Sequence, residues 1–287
     1  MTSAAVVAFV KRLTGEKREG HAGTLYTEAA GVLPIMIGRA ARLFDYLVDK
    51  EKTYVAEVAF GVSTDTQDAT GTVLARGENY PSEDAIRQAA QQLTGDIQQR
   101  PSMFSAIKKD GKALYQLARK GETVEVPLRQ VHVESITVGE ELPNHGRMLT
   151  VHCGRGTYIR SICHDMGQIV GCPAHMRFLL RSQSGFFDLS TAMTLEEVQA
   201  YAAEGTLGNR LLPLDAPIQH IRRVDVARRW RKNVMNGAKL PLSEEMVTEG
   251  VPFRVYCDGQ FWGMAERVGQ ELVWRAQMPP EREETNG

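Results

Sequence analysis

Four parts of the sequence carry side chains able to do chemistry. In the first, His152/Cys153, Cys163/His164 and Cys172/His175 fall within 24 residues, a density of thiol and imidazole donors that suits a transition-metal ion. The spacing argues against one. No Cys-x-x-Cys pair is present, His152 and Cys153 point to opposite faces of any strand, and Cys163 falls on the apolar side of a helical pattern. Buried free cysteines, without a metal, are the expectation. The second is Cys153-Gly-Arg-Gly-Thr-Tyr-Ile-Arg160, where a Gly-x-Gly turn leads from a strand into a helix. Backbone N–H groups at such a helix start can meet an anion, and Arg160 lies in the first helical turn. An ordinary strand-to-helix turn is the alternative. The third, Gly20-His21-Ala22-Gly23-Thr24, is a small-residue loop over which a ligand can approach the backbone; a structural role for His21 is the alternative. The fourth is a pair of basic stretches. Arg100 to Lys120 holds six Lys/Arg against Asp110, with Met103, Phe104 and Tyr115 interleaved. Arg222 to Lys239 holds seven against Asp225, with Trp230 between Arg229 and Arg231. Cations neutralise phosphates and aromatic faces stack on bases, so RNA or DNA is a candidate partner; a solvated charged face is the alternative.

The elements that must position these groups read as follows. Residues 4–13 form an amphipathic helix with Val6, Phe9, Val10 and Leu13 inward, Thr2 or Ser3 as cap and Gly15 at the end. A second helix is predicted over 39–48, with Ala40, Leu43, Phe44 and Leu47 on one face. Thr53 to Phe60 alternates as a strand does, and Ser63 to Gly71 reads as a polar loop. Ser82 caps a helix whose apolar face is Ile86, Ala89, Ala90 and Leu93. Strands are predicted over Val124–Val138 and Arg147–Cys153, joined by a turn at Pro143–Gly146. Thr157–Val170 reads as a helix with Ile159, Ile162, Cys163, Met166 and Ile169 inward, and Thr194 with Glu197 makes a capping box. A basic helix, Asp225–Asn236, ends at Gly237, and strand-like runs follow at Phe253–Cys257, Gln260–Glu266 and Glu271–Ala276.

Composition bounds the class. The 287 residues carry 34 Lys/Arg and 35 Asp/Glu, a net charge of −1, which excludes a globally basic nucleic-acid binder but not local patches. An apolar share of 43% supports a buried core and speaks against wholesale disorder. No apolar run reaches the length of about 18 residues that a membrane span needs. Lys11 and Arg12 follow the apolar N-terminal residues rather than precede them, which speaks against a signal peptide. Four cysteines do not make a disulfide scaffold, so a reducing cytoplasm is the default.

In order along nearly the whole chain, these segments resemble the bacterial TruB-type tRNA pseudouridine synthases. The pieces are 20–25 (Gly-His-Ala-Gly-Thr-Leu), 30–34 (Ala-Gly-Val-Leu-Pro), 51–54 (Glu-Lys-Thr-Tyr), 63–71 (Ser-Thr-Asp-Thr-Gln-Asp-Ala-Thr-Gly) and 100–108 (Arg-Pro-Ser-Met-Phe-Ser-Ala-Ile-Lys). They continue with 111–115 (Gly-Lys-Ala-Leu-Tyr) and 153–160, and end in a stretch like a small PUA RNA-binding domain. The resemblance implies an α+β fold around a mainly antiparallel mixed sheet with flanking helices over 1–218. It also implies a β-rich PUA-like domain over 219–278, with a loose tail at 279–287. It implies isomerisation of a T-loop uridine of tRNA to pseudouridine with no cofactor or metal, the base leaving its stack to be reached. No membrane is involved, and a monomer is expected. In the family a loop Asp performs the chemistry, an Arg pairs with it and a Tyr stacks on the flipped base. The matching positions here are Arg160 and Tyr54, and His21 matches the histidine that helps hold the T-loop open. Phosphate contacts are expected from Lys108, Lys109 and Lys112, and from Arg228, Arg229, Arg231 and Lys232.

The chain departs from the family pattern twice. Directly after Gly-Thr-Leu, where the family has its catalytic Asp and usually Pro, stand Tyr26 and Thr27. A phenol has a reference pKa of about 10 against about 3.9 for Asp, and the exchange leaves Arg160 without its expected partner. Three readings follow. The chain keeps RNA binding without catalysis; Glu28 pairs with Arg160 in place of the missing carboxylate; or Tyr26 itself attacks C1′, its pKa lowered by Arg160, as sialidases use a Tyr. The second departure is at the start. Family members open with a short strand and a Lys-Pro loop before the Met-Thr-Ser that is residues 1–3 here, so an N-terminal strand of the sheet is expected to be missing.

Overall fold

The structure is a computed structural model and describes residues 1–47, 51–105, 107–109, 111–118, 120–122, 124–242 and 247–279. The chain divides into two compact units. One holds Met1–Val6, Gly23–Pro34 and Val48–Ala192; the other holds Val7–Ala22, Ile35–Leu47 and Met193–Gly287. No helix of the described residues is long and apolar enough to cross a membrane.

The first unit is built on a seven-stranded sheet. Its main strands are β1 (Lys52–Phe60), β2 (Gly95–Gln99), β3 (Arg129–Leu142), β4 (Gly146–Cys153) and β5 (Ala174–Ser184). From one edge the order is Phe187–Asp188, β5, β1, β4, β3, β2. Every pair on that path is antiparallel, and the two-residue strand Ala30–Gly31 adds to β5 in parallel, so the sheet is mainly antiparallel and mixed, as expected. The helices α1 (Glu83–Gln92) and α2 (Ile159–Val170) cover one face. Their apolar sides, Ile86 and Ala89 with Ile162 and Met166, close a core with Ala56, Val58, Val133, Leu149 and Val151. Burying such side chains is worth about 1.5–3 kcal/mol each, which fixes the sheet and whatever its end carries.

Local signals account for the ends of these elements. The Ser82 hydroxyl accepts from the Ala85 N–H, capping α1. Gly171, at φ 71°, closes α2 in the left-handed conformation that favours glycine. Asn144 and His145, both near φ 60°, make the β3–β4 turn.

Several expectations need correction. The strand β5 was not foreseen. Ile169, expected inward, is 40% exposed. The strand expected from Val124 begins at Arg129. Val124 and Val126 instead join Leu114 and Leu117 in a small separate core under the segment that carries the hairpin Lys108–Ala113.

In the second unit, α3 (Leu195–Ala203) starts with the expected capping box of Thr194 and Glu197. A five-stranded sheet contains β6 (Arg223–Val226), β7 (Phe253–Cys257), β8 (Gln260–Val268) and β9 (Glu271–Gln277), closed by Leu240–Pro241. Trp262, Phe253, Val255 and Leu272 fill its core. The basic helix predicted over Asp225–Asn236 is a strand first. Arg223–Val226 pairs with β7, and only Arg228–Trp230 and Arg231–Met235 are helical. The helix predicted over 39–48 is a 3-10 turn, Gly38–Leu43, followed by a single α-turn, Phe44–Leu47, and residue 48 lies outside the described residues. The loop expected at 20–25 starts as a strand, Glu19–His21, paired with Ile35–Ile37. Of the tail 279–287, all but Pro279 lies outside the described residues.

Candidate active site

Three segments of the first unit converge beyond the N-terminal end of α2. Tyr26 comes from the turn after Gly23-Thr24-Leu25, Arg160 from the first turn of α2, and Asp68 from the loop after the strand Val62–Thr64. The Tyr26 hydroxyl donates to Asp68 Oδ2 at 2.8 Å, and Arg160 Nη1 donates to the same oxygen at 3.3 Å. The Arg160 guanidinium also lies 5.3 Å from the Tyr26 ring centre and donates from Nη2 to the Phe104 carbonyl at 2.7 Å. Arg160 therefore has a carboxylate partner after all, which corrects the expectation of a lost one. That partner is Asp68, not Glu28, which is exposed.

Asp68 is 3% exposed, yet five donors reach it. Besides Tyr26 and Arg160, Oδ1 accepts from the Thr66 hydroxyl at 2.9 Å and from the Thr70 N–H and hydroxyl at 3.0 and 2.6 Å. Burial pushes its carboxyl pKa up, but the hydrogen bonds from Thr70, Tyr26 and Thr66 outweigh this and hold it below the ordinary value. The loop is fixed to β5 from both sides. Met176 N–H donates to the Gln67 carbonyl and Ala69 N–H to the Met176 carbonyl, each at 3.0 Å. Asp68 is the site residue that reading the sequence missed. Its signal was present in the Thr-Asp-Thr-Gln-Asp-Ala-Thr run, where two carboxylates sit among hydroxyls that can satisfy one of them.

Tyr26 is pushed the opposite way from a nucleophile. Burial first, then the hydrogen bond and negative charge of Asp68, raise its phenol to about 12, and the opposing charge of Arg160 does not compensate. A group whose pKa rises on folding stabilises fully below its unfolded value, here about 10, and loses that contribution as pH rises through the folded value. An alkaline titration followed at 295 nm is therefore expected to show one phenol ionising near pH 12 that Tyr26→Phe removes. A phenol titrating near pH 10 in its place would contradict the geometry.

Tyr54 sits in β1 opposite Val151 of β4 and Arg181 of β5, and packs partly buried against the core. Burial raises its phenol, and Arg181's charge opposes this. Arg181 is 1% exposed and directs its donors at main-chain carbonyls of the loop that carries Tyr26: Val32 at 2.7 Å, Gly23 at 3.2 Å and Thr24 at 3.3 Å. Sequence reading missed it together with its strand.

The remaining candidates distribute as follows. His21 ends the strand Glu19–His21 in the second unit, half-buried and paired with Ile35. Lys112 is exposed on the hairpin Lys108–Ala113; the side chains of Lys108 and Lys109 lie outside what is described. In the second unit Arg228, Arg229, Arg231 and Lys232 are exposed, but Arg228 and Arg231 lean on Asp258 at 3.9 and 3.0 Å, and Arg229 lies over Trp230. Cys153, Cys163, Cys172 and Cys257 are buried free thiols. At the start of α2 the Tyr158 N–H is taken by the Gln99 side chain at 3.0 Å, which favours the ordinary-turn reading of the glycine-rich segment.

Residues 11–159 match the TruB family pseudouridylate synthase N-terminal domain, and residues 160–228 match the tRNA pseudouridylate synthase B C-terminal domain. The tRNA pseudouridine synthase B of Alkaliphilus oremlandii is 42% identical over 243 residues, 84% of this chain and 79% of that protein. That of Bacillus subtilis is 38% identical over 266 residues, 90% of this chain and 86% of that protein. Among solved structures, a chain of a Cbf5-Nop10-Gar1 complex superposes with a TM-score of 0.73 at 24% identity, over 97% of this chain and 82% of that one. At that identity the likeness speaks for the fold.

Proposed function

Because this chain belongs to the TruB family of pseudouridylate synthases, we propose that its cleft receives a T-loop uridine of tRNA and that the chemical step stalls at Tyr26. One observation carries this reading: the group at the position of the family's catalytic Asp is a protonated phenol, bonded to Asp68 and raised to about 12. At pH 7 such a group is ionised in roughly one molecule in 10⁵. In the family a carboxylate at this position performs the chemistry at C1′, and Tyr26 does not supply that negative charge. Tyr54 offers a flat face for the base, and Arg160 keeps positive charge beside it.

A second reading has its own observation. Asp68 is an ionised carboxylate beside Arg160, so turnover through Asp68 is the alternative. It is the weaker reading, because all five donors to that carboxylate are already in place and it is buried. A single-turnover pseudouridine assay on a T-arm minihelix separates the outcomes. Binding without product is expected. Product at rates typical of the family overturns the stalled step, and Asp68→Asn then tests the alternative. Absence of binding overturns the uridine site itself.

Binding is assigned to both basic stretches, with residues 219–278 acting as a PUA-like RNA-binding domain after a synthase-like domain, 1–218, in a cytoplasmic monomer. What supports the binding is the exposure of Lys112, Arg228, Arg229, Arg231 and Lys232. Affinity for the minihelix is expected to fall steeply between 50 and 200 mM salt. Each of Lys112→Glu, Arg229→Glu and Lys232→Glu is expected to lower the slope of log K against log salt by about 1. A binding constant indifferent to salt and to all three reversals would sink the assignment.

A further inference from the structure

Ser105 is 2% exposed, and among the described residues its hydroxyl is buried with no hydrogen-bond partner. A serine hydroxyl is both donor and acceptor, and natural structures rarely leave one buried and unpaired without a reason. Other buried hydroxyls of the first unit are satisfied. Ser102 donates to the Asp65 carbonyl at 2.9 Å, Thr64 to the Asp68 carbonyl at 2.6 Å, and Ser161 to the Gln67 side chain at 2.8 Å. An orphaned hydroxyl is therefore the exception among the described residues.

Its backbone is fixed in an informative place. Ser105 follows Phe104, whose carbonyl holds Arg160 at 2.7 Å, and its own carbonyl accepts from the Tyr115 N–H at 3.0 Å. On one side, through the Phe104 carbonyl, lies the Tyr26–Asp68–Arg160 network. On the other, three residues on, begins the hairpin with Lys108, Lys109 and Lys112.

We propose that Ser105 Oγ is the hydrogen-bond partner of the ribose 2′-hydroxyl of the nucleotide that enters this site, and so makes the site prefer RNA to DNA. This rests on the reading of the cleft as a uridine site. In that reading Tyr54 takes the base, position 26 stands beside C1′ of the ribose and the lysines suit phosphates, so the sugar belongs between the Tyr26 network and the hairpin. The 2′-hydroxyl is itself donor and acceptor, the complement of a serine hydroxyl, and it is what distinguishes RNA from DNA at a given position. A rotation about χ1 of Ser105 moves Oγ between staggered positions without moving the backbone.

A double-mutant cycle tests this. Wild type and Ser105→Ala are titrated with a T-arm minihelix carrying either uridine or 2′-deoxyuridine at the target position. Wild type is expected to bind the ribose form about fivefold more tightly. Ser105→Ala is expected to bind both forms equally, at the level of the wild-type deoxy complex, and Ser105→Thr to restore part of the preference. Without RNA, Ser105→Ala is expected to melt about 2–4 °C higher, because an unpaired buried hydroxyl is gone. An equal loss on both RNAs, or no loss on either, overturns the ribose contact while the uridine site stands. Failure of wild type to bind either minihelix overturns the uridine site, and the contact with it.

Discussion

Tyr26→Asp is expected to raise pseudouridine formation on a T-arm minihelix by at least about 10⁴-fold over the wild type. The figure follows from ionisation alone. The phenol, raised to about 12, is almost wholly neutral at pH 7, whereas a carboxylate there is almost wholly ionised. The local structure accommodates the exchange. Aspartate is shorter than tyrosine, so its carboxylate stays nearer the loop than the phenol oxygen that now touches Asp68. Removing the ring also uncovers the face of Arg160 that lies 5.3 Å from its centre. The guanidinium can then serve two carboxylates, with Asp68 still held by Thr66 and Thr70. Release of the C5 hydrogen from tritiated uridine measures the step, and Tyr26→Asn is the neutral control. A Tyr26→Asp variant that folds and binds RNA yet stays silent would show that the cleft lacks more than a carboxylate.

Arg160→Ala is expected to cost about 3–5 kcal/mol of stability, because it leaves a buried carboxylate without its countercharge. Both side chains are nearly inaccessible, at 6% for Arg160 and 4% for Asp68, so solvent screens little of the loss. The Phe104 carbonyl loses its donor as well. Thermal melts at pH 7 are expected to fall by roughly 10 °C. The pH dependence has a definite sign. Asp68 has its pKa lowered by folding, so its contribution is present above the unfolded value of 3.8 and is lost as pH falls through the folded one. Wild type and Arg160→Ala are therefore expected to differ strongly at pH 7 and to converge only as pH falls through the folded value, which lies below 3.8. A gap that persists unchanged after Asp68 has taken up its proton would assign the loss to packing instead of charge.

The sequence pattern carried the elements whose periodicity is clean. The helices α1 and α2, the strand β4 and the turn before it lie where spacing, caps and turn residues put them. The strand β5 escaped for a physical reason. Two irregularities, between Met176 and Phe178 and between Arg181 and Gln183, break its alternation, and Arg181 is a charge buried at an inward position. At β6 the basic residues look helical in composition, but Val224 is needed in a sheet core, and pairing with β7 wins. In the site, Arg160 was legible from the turn that leads into α2. Asp68 was not, because nothing local distinguishes it from Asp65. Asp65 turns its carboxylate back to the Thr72 N–H at 2.8 Å, and only the fold brings Tyr26 and Arg160 to Asp68.

Arg181 holds the segment around Tyr26 through the carbonyls of Gly23, Thr24 and Val32, while the Ser3 hydroxyl takes the Leu25 N–H. Every one of those contacts is to main chain, and none of them is to residue 26 itself. The loop's path is thus insulated from the identity of the side chain at position 26. Such a scaffold lets a lineage exchange the reactive group in one step without first losing the fold, and the same insulation leaves the return step open.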